Sequence, residues 1–147
     1  MSADVGKRGR TRGLLIQALY QWQLTGHSGD ELATQFRDRA EFARVDADLF
    51  NELLGDVIER QAELESIVER FADRPRDQLD PVELGIIYLG LAELSRHFET
   101  PYRVVLNEAV RLARGFGAED GHKYVNALLD RAAAELRQAE YGVRRSS

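Results

Sequence analysis

Cysteine is absent from the 147 residues, which excludes disulfides and thiolate metal sites. Proline is scarce: it stands only at positions 75, 81 and 101, each at a boundary between apolar patterns. Long hydrophobic runs are missing too. The longest, Gly85 to Ala92, falls far short of the roughly 20 residues that span a bilayer. The N-terminus lacks the apolar stretch of a signal peptide, so a cytoplasmic location without membrane attachment is expected. Neither an alternating strand pattern nor a repeat of fixed period occurs.

A chain of this length has enough interior for one ordinary domain without covalent staples. Its net charge of −5 taken alone argues against nucleic-acid binding, because phosphate neutralisation supplies most of such binding. The distribution argues the other way. Lys7, Arg8, Arg10 and Arg12 against Asp4 give the first 13 residues +3, leaving −8 for the remainder. A basic start on an acidic body suggests two partners of opposite charge, although a basic terminus is also an ordinary solvated tail.

The chain is organised around Asp80 to Leu94, where apolar residues are most continuous. Asp80 suits an N-cap, Pro81 the first helical position, and Glu83 the place from which a carboxylate reaches back to the cap. Apolar side chains then point all round, which a helix tolerates only if neighbours cover every side. Gly85 and Gly90 each cost about 1 kcal/mol relative to Ala in a helix and imply close approach by other helices.

The other segments follow helical spacing. The first helix runs from Arg8 or Thr11 to Leu24, burying Leu15, Ala18, Leu19 and Trp22, with Thr25-Gly26-His27 as its stop. Ser28 and Glu31 form a capping box for a short second helix reaching Phe36 to Phe42. Asp46 to Phe71 is apolar at helical spacing, with a weaker patch at Arg60 to Glu63 where it bends or divides. Asp73 to Asp77 reads as a linker. A helix opens at Thr100-Pro101 and stops at Gly115 and Gly117, and the last opens near Asp120 or Gly121. The expected fold is all-α, a compact bundle of about six to seven helices around the central one. A single domain is expected over residues 1–147, with a flexible basic arm over about residues 1–10 and a frayed tail over about 140–147.

Catalysis needs convergent groups, and the chain offers none. His27, His97 and His122 fall at different helix ends without metal-ligand spacing, and Gly115-Phe116-Gly117 lacks the strand and third glycine of a dinucleotide loop. No metal, cofactor or enzymatic activity is expected. RNA binding has a physical case, because single strands are held by cations along phosphates and by rings under unstacked bases. Lys7, Arg8, Arg10 and Arg12 lead along the first helix to Tyr20, and His122-Lys123-Tyr124 opens the last helix, where the dipole favours phosphate. Equally, Tyr20 and Tyr124 are core-edge rings and Lys123 a solvated charge.

Three stretches resemble one family in order and separation. They are Arg12 through Leu24 (Arg12-Gly13-Leu14-Leu15-Ile16-Gln17-Ala18-Leu19-Tyr20-Gln21-Trp22-Gln23-Leu24), Pro101 through Val110 (Pro101-Tyr102-Arg103-Val104-Val105-Leu106-Asn107-Glu108-Ala109-Val110), and Phe116 through Asn126 (Phe116-Gly117-Ala118-Glu119-Asp120-Gly121-His122-Lys123-Tyr124-Val125-Asn126). Together they resemble the bacterial antitermination factor NusB family over essentially the whole chain. The resemblance implies a protein that binds the boxA element of ribosomal RNA leader transcripts together with NusE, a ribosomal small-subunit protein. The pair then joins other Nus factors on RNA polymerase. By the same resemblance Lys7, Arg8, Arg10, Arg12, Tyr20, Lys123 and Tyr124 are RNA-binding residues. Glu83, with Asp80 and Asp77, faces NusE, and the charge of Asp120 modulates RNA affinity. Departures from the family pattern are Tyr88 for an arginine, Gly121 for a serine, Tyr124 for a phenylalanine, and Gly9 within a run of arginines. They imply weaker RNA affinity in the same class. Two alternatives stand beside this reading: a helical adaptor that binds protein alone, and the RNA-recognition domain of an RNA cytosine methyltransferase, whose catalytic domain and cysteine are absent from this sequence.

Overall fold

The computed structural model describes residues 6–146, with residues 143–146 described by backbone alone. Among the described residues there are eight α-helices, two short 3-10 turns and no strand. The all-α reading holds, with more helices than expected. None of these helices is long and apolar enough to cross a membrane. The chain divides into two compact units, Met1–Glu59 and Arg60–Ser147.

In the first unit α1 (Lys7–Thr25) packs with α2 (Gly29–Arg37) and α3 (Ala47–Glu59), with a 3-10 turn at Ala40–Arg44 between α2 and α3. Leu14, Leu15, Ile16, Ala18, Leu19 and Trp22 of α1 are buried, as are Phe36 of α2 and Phe50 and Leu53 of α3. The helix ends follow the sequence signals. Gly26 takes φ 71°, the left-handed region that favours glycine, and its N–H donates to the Trp22 carbonyl. Ser28 and Glu31 form the reciprocal capping box at 3.1 and 2.9 Å. The second helix ends at Arg37, and the chain tightens into the 3-10 turn before Phe42 sets its ring edge-on to Phe50.

The flexible arm expected over about residues 1–10 falls partly outside the described residues. From Lys7 onward the chain is already helical. Thr11 ties this start down: its hydroxyl donates to the Lys7 carbonyl at 2.7 Å and accepts the Asp46 N–H at 2.9 Å.

In the second unit α5 (Pro81–Arg96) is the packing centre, with α4 (Gln61–Phe71), α6 (Tyr102–Phe116) and α7 (Gly121–Leu136) against it. Every residue from Leu84 to Leu94 is buried. Beside Gly90, a Cβ would lie 2.8 Å from Leu129 Cδ1, so the close approach inferred from that glycine is made by α7. The long pattern from Asp46 to Phe71 divides at Arg60, whose buried guanidinium holds Glu63 at 2.7 Å and the Ser95 hydroxyl at 2.7 Å. The tail expected to fray over about 140–147 is instead α8 (Gln138–Ser146) as far as it is described. Glu140 accepts the Tyr102 N–H at 2.9 Å, and Tyr141 packs its ring on Tyr102 while its hydroxyl donates to Asp130 at 3.1 Å.

The end of α5 is closed by Arg137, between α7 and α8 and 4 % exposed. Its guanidinium donates to the carbonyls of Leu94, Glu93 and His97 at 2.7, 3.1 and 3.0 Å and pairs with Glu140 at 2.8 Å. Asp80 closes the other end, accepting from the Val82 N–H at 2.7 Å and the Glu83 N–H at 3.4 Å.

Arg137→Ala leaves the Leu94 carbonyl and the Glu140 carboxylate without their guanidinium donor, while the Glu93 and His97 carbonyls keep the N–H groups of His97 and Thr100, and is expected to lower stability by about 2 kcal/mol in urea unfolding. Arg137→Lys should restore less than half of that, because an ammonium cannot span three acceptors as a guanidinium does. Gly90→Ala gains helix propensity but forces Leu129 aside in a filled core, and a net loss of about 1 kcal/mol is expected in the same measurement.

Candidate nucleic-acid interface

The residues expected to bind RNA fall into one group in each unit. In the first unit Lys7 and Arg8 are exposed on the opening turn of α1, and Tyr20 is 41 % exposed further along. The continuous strip inferred from the four-residue spacing is not formed. Arg12 is 3 % exposed and Ile16 is buried, while Arg10 donates from Nε to the Arg44 carbonyl at 3.0 Å. Each four-residue step advances about 40° beyond a full turn, so Arg8 and Tyr20 stand about 120° apart around the helix. The residues between them turn inward, which removes Arg12 from the set of exposed cations.

In the second unit the opening of α7 gathers several groups. Lys123 is exposed, with Nζ 3.5 Å from the Asp120 carboxylate. Both side chains are largely in solvent, so this pair contributes little to stability and leaves the ammonium available. Tyr124 is half-buried, and burial followed by the Asp73 charge pushes its hydroxyl above the usual tyrosine range. A residue with no sequence signal joins it. Arg74, in the segment between α4 and α5, lies over the Tyr124 ring with its guanidinium carbon 4.6 Å from the centroid, and its Nε donates to Asp73 at 2.9 Å.

Glu83 also departs from its expected role. Asp80 caps α5 as predicted, but the Glu83 carboxylate does not complete a capping box. It crosses to the turn between α6 and α7, occupying the space beside Gly117 and Gly121. A Cβ at Gly121 would collide with Glu83 Oε2, so the glycine at the first position of α7 makes room for this carboxylate. Burial and then the Asp80 charge hold the Glu83 carboxyl above the usual carboxylate range, opposed by the Ala118 N–H and Arg74. Of the remaining acidic residues expected to face a partner, Asp77 is exposed in the 3-10 turn Arg76–Gln78, and the Asp80 carboxylate is engaged in its cap. Tyr88 is buried within α5, and burial pushes its hydroxyl up to about 12. Among the described residues no cluster of three or more histidine, cysteine, aspartate or glutamate side chains is arranged to hold a metal ion.

This is an all-helical protein in which a guanidinium over a ring, Arg74 on Tyr124, and the exposed Lys123 gather at the opening of α7. Comparison with known proteins refines that class. The NusB family profile matches residues 9–134. The transcription antitermination protein NusB of Hahella chejuensis is 44 % identical, covering 99 % of this chain and 98 % of its own. Those of Nitrosospira multiformis and Halorhodospira halophila are 47 % and 46 % identical, over 90 % and 99 % of this chain and 84 % and 94 % of theirs. Among solved structures, NusB of T. maritima superposes with a TM-score of 0.78 at 21 % identity, covering 88 % of this chain and 93 % of its own, a likeness of fold. The chain belongs to the NusB family. These relatives are named for transcription antitermination and not for a catalytic activity, in agreement with the non-enzyme reading.

The contact of Glu83 with Gly121 is testable by a double-mutant cycle. Gly121→Ala is expected to cost about 1 to 2 kcal/mol by unseating Glu83. In a Glu83→Ala background the same change should cost clearly less, because the clashing carboxylate is gone. Equal costs in both backgrounds would show that the two positions are independent.

Proposed function

We propose that the protein is a transcription antitermination factor that binds boxA RNA of ribosomal RNA leader transcripts together with NusE and enters the Nus factor assembly on RNA polymerase. The observation that carries this reading is the similarity, over nearly the full chain, to relatives named transcription antitermination proteins. That similarity crosses both compact units, which supports treating residues 1–147 as one functional domain. The exposed Lys7, Arg8 and Lys123 supply charge for phosphates, and Tyr20 and Tyr124 supply rings for bases. Asp120, beside Lys123, partly offsets that charge, a physical basis for its expected influence on affinity. Asp77, Asp80 and Glu83 add negative charge suited to a basic ribosomal protein.

The burial of Arg12 and the engagement of Arg10 leave fewer exposed cations than the sequence suggests, and this favours the second reading, an adaptor that binds protein alone. Titration of a boxA-type RNA over a series of salt concentrations, with and without NusE, separates the two. In the RNA-binding reading Lys7→Ala, Arg8→Ala and Lys123→Ala each reduce the log–log salt slope by about 0.7, the contribution of one phosphate contact on a single strand. Helicity should be unchanged, since all three side chains are exposed. Absence of RNA binding with NusE present, alongside intact NusE binding, would leave the adaptor.

A further inference from the structure

We propose that Arg74 is a phosphate-binding residue of the RNA interface, held in position by the Tyr124 ring and by Asp73, whose carboxylate an RNA phosphate displaces. The inference rests on the RNA-binding reading above and adds a residue and an exchange of partners to it.

The first support is the contrast between Arg74 and the arginines near it in sequence and on α7. Arg70 pairs with both carboxylate oxygens of Glu135, Arg76 pairs with Glu65 and Glu69 at 3.4 and 3.2 Å, and Arg131 donates to the Phe71 carbonyl at 2.7 Å. Each thereby joins elements of its own unit. Arg74 uses only Nε, toward its sequence neighbour Asp73, and both of its terminal amino groups have no hydrogen-bond partner among the described residues. Its side chain is 46 % exposed and that of Asp73 65 %. An exposed ion pair of this kind contributes about 0 to 1 kcal/mol, so a ligand oxygen exchanges with the carboxylate at low cost.

The second support is the preorganisation of the guanidinium. Pro75 restricts the backbone of Arg74 to extended conformations, and the contact with the Tyr124 ring, 4.6 Å from guanidinium carbon to centroid, restrains the side chain. A planar fork of N–H donors held this way matches two phosphate oxygens better than a flexible ammonium does. The same stack closes one face of Tyr124, so a nucleobase resting on that ring uses the other face. Phosphate contact and base contact are thereby brought to one side chain pair, with Lys123 preceding Tyr124 in α7.

The test is a titration of the full chain with one single-stranded RNA oligonucleotide over a series of salt concentrations, comparing Arg74→Ala, Arg74→Lys and Asp73→Asn with the parent. Arg74→Ala should bind about tenfold more weakly, the size of one charge-assisted hydrogen bond, with a log–log salt slope shallower by about 0.7. Arg74→Lys should retain the slope but not the full affinity, and Asp73→Asn should bind more tightly because the competing carboxylate is gone. Parent-like affinity and slope in Arg74→Ala would remove Arg74 from the interface while leaving the RNA-binding reading intact. Tighter binding by Arg74→Ala would also overturn the proposal, by making Arg74 a shield over the ring. If the parent chain itself failed to bind RNA in the presence of NusE, the interface and this inference would fall together.

Discussion

The buried helix α5 depends on the pairing of the backbone groups at its two ends. The interior of α5, Leu84 to Leu94, gives up all solvent contact, and a buried backbone donor or acceptor left unpaired costs about 1 to 3 kcal/mol. Asp80 answers this requirement at the N-terminus with a carboxylate, and Arg137 answers it at the C-terminus with a guanidinium spread over three carbonyls. Each charge also has the sign that the helix dipole favours at its end. Because Arg137 stands between α7 and α8, closing α5 also draws those two helices to its C-terminal end.

The candidate interface of the second unit depends on the same helix. Glu83 lies one turn inside the Asp80 cap, and its carboxylate crosses to the turn that starts α7 in place of reaching back to the Asp80 N–H. There it fills the space beside Gly117 and Gly121 at the start of α7, a helix without a side-chain cap. The presentation of Lys123 and Tyr124 therefore rests on a residue that sequence spacing assigns to a different helix end. Arg74 completes the arrangement from a segment that looks like a linker, and it does so by stacking, an interaction that has no sequence spacing.

Much of the architecture was legible because its signals are local. Ser28 with Glu31, Asp80 with Pro81, and Gly26 each act within a turn of their own backbone, and the core positions of α1, α6 and α7 repeat with the helix period. Errors arose where one residue had two available partners. Glu83 had the spacing of a capping box, but burial at the turn of α6 and α7 took it elsewhere. Arg12 had the company of three cations, but the helix rotation carried it inward with Ile16. Thr11 and Tyr141 secure residues next to them through long-range hydrogen bonds that composition does not display.

The sequence by itself determined the all-helical class, the positions of most helix ends, the identity of the buried central helix and membership of the family. All of these depend on backbone periodicity, on caps within four residues, or on ordered motifs along the chain. Tertiary structure decided which charges are exposed and which are committed. It separated Lys7 and Arg8 from Arg12, assigned Arg137 to the end of α5, moved Glu83 to Gly121 and set Arg74 on Tyr124. Long side chains reach partners many residues away, and which partner they find depends on the packing of helices whose faces, not whose order, bring the groups within hydrogen-bonding distance.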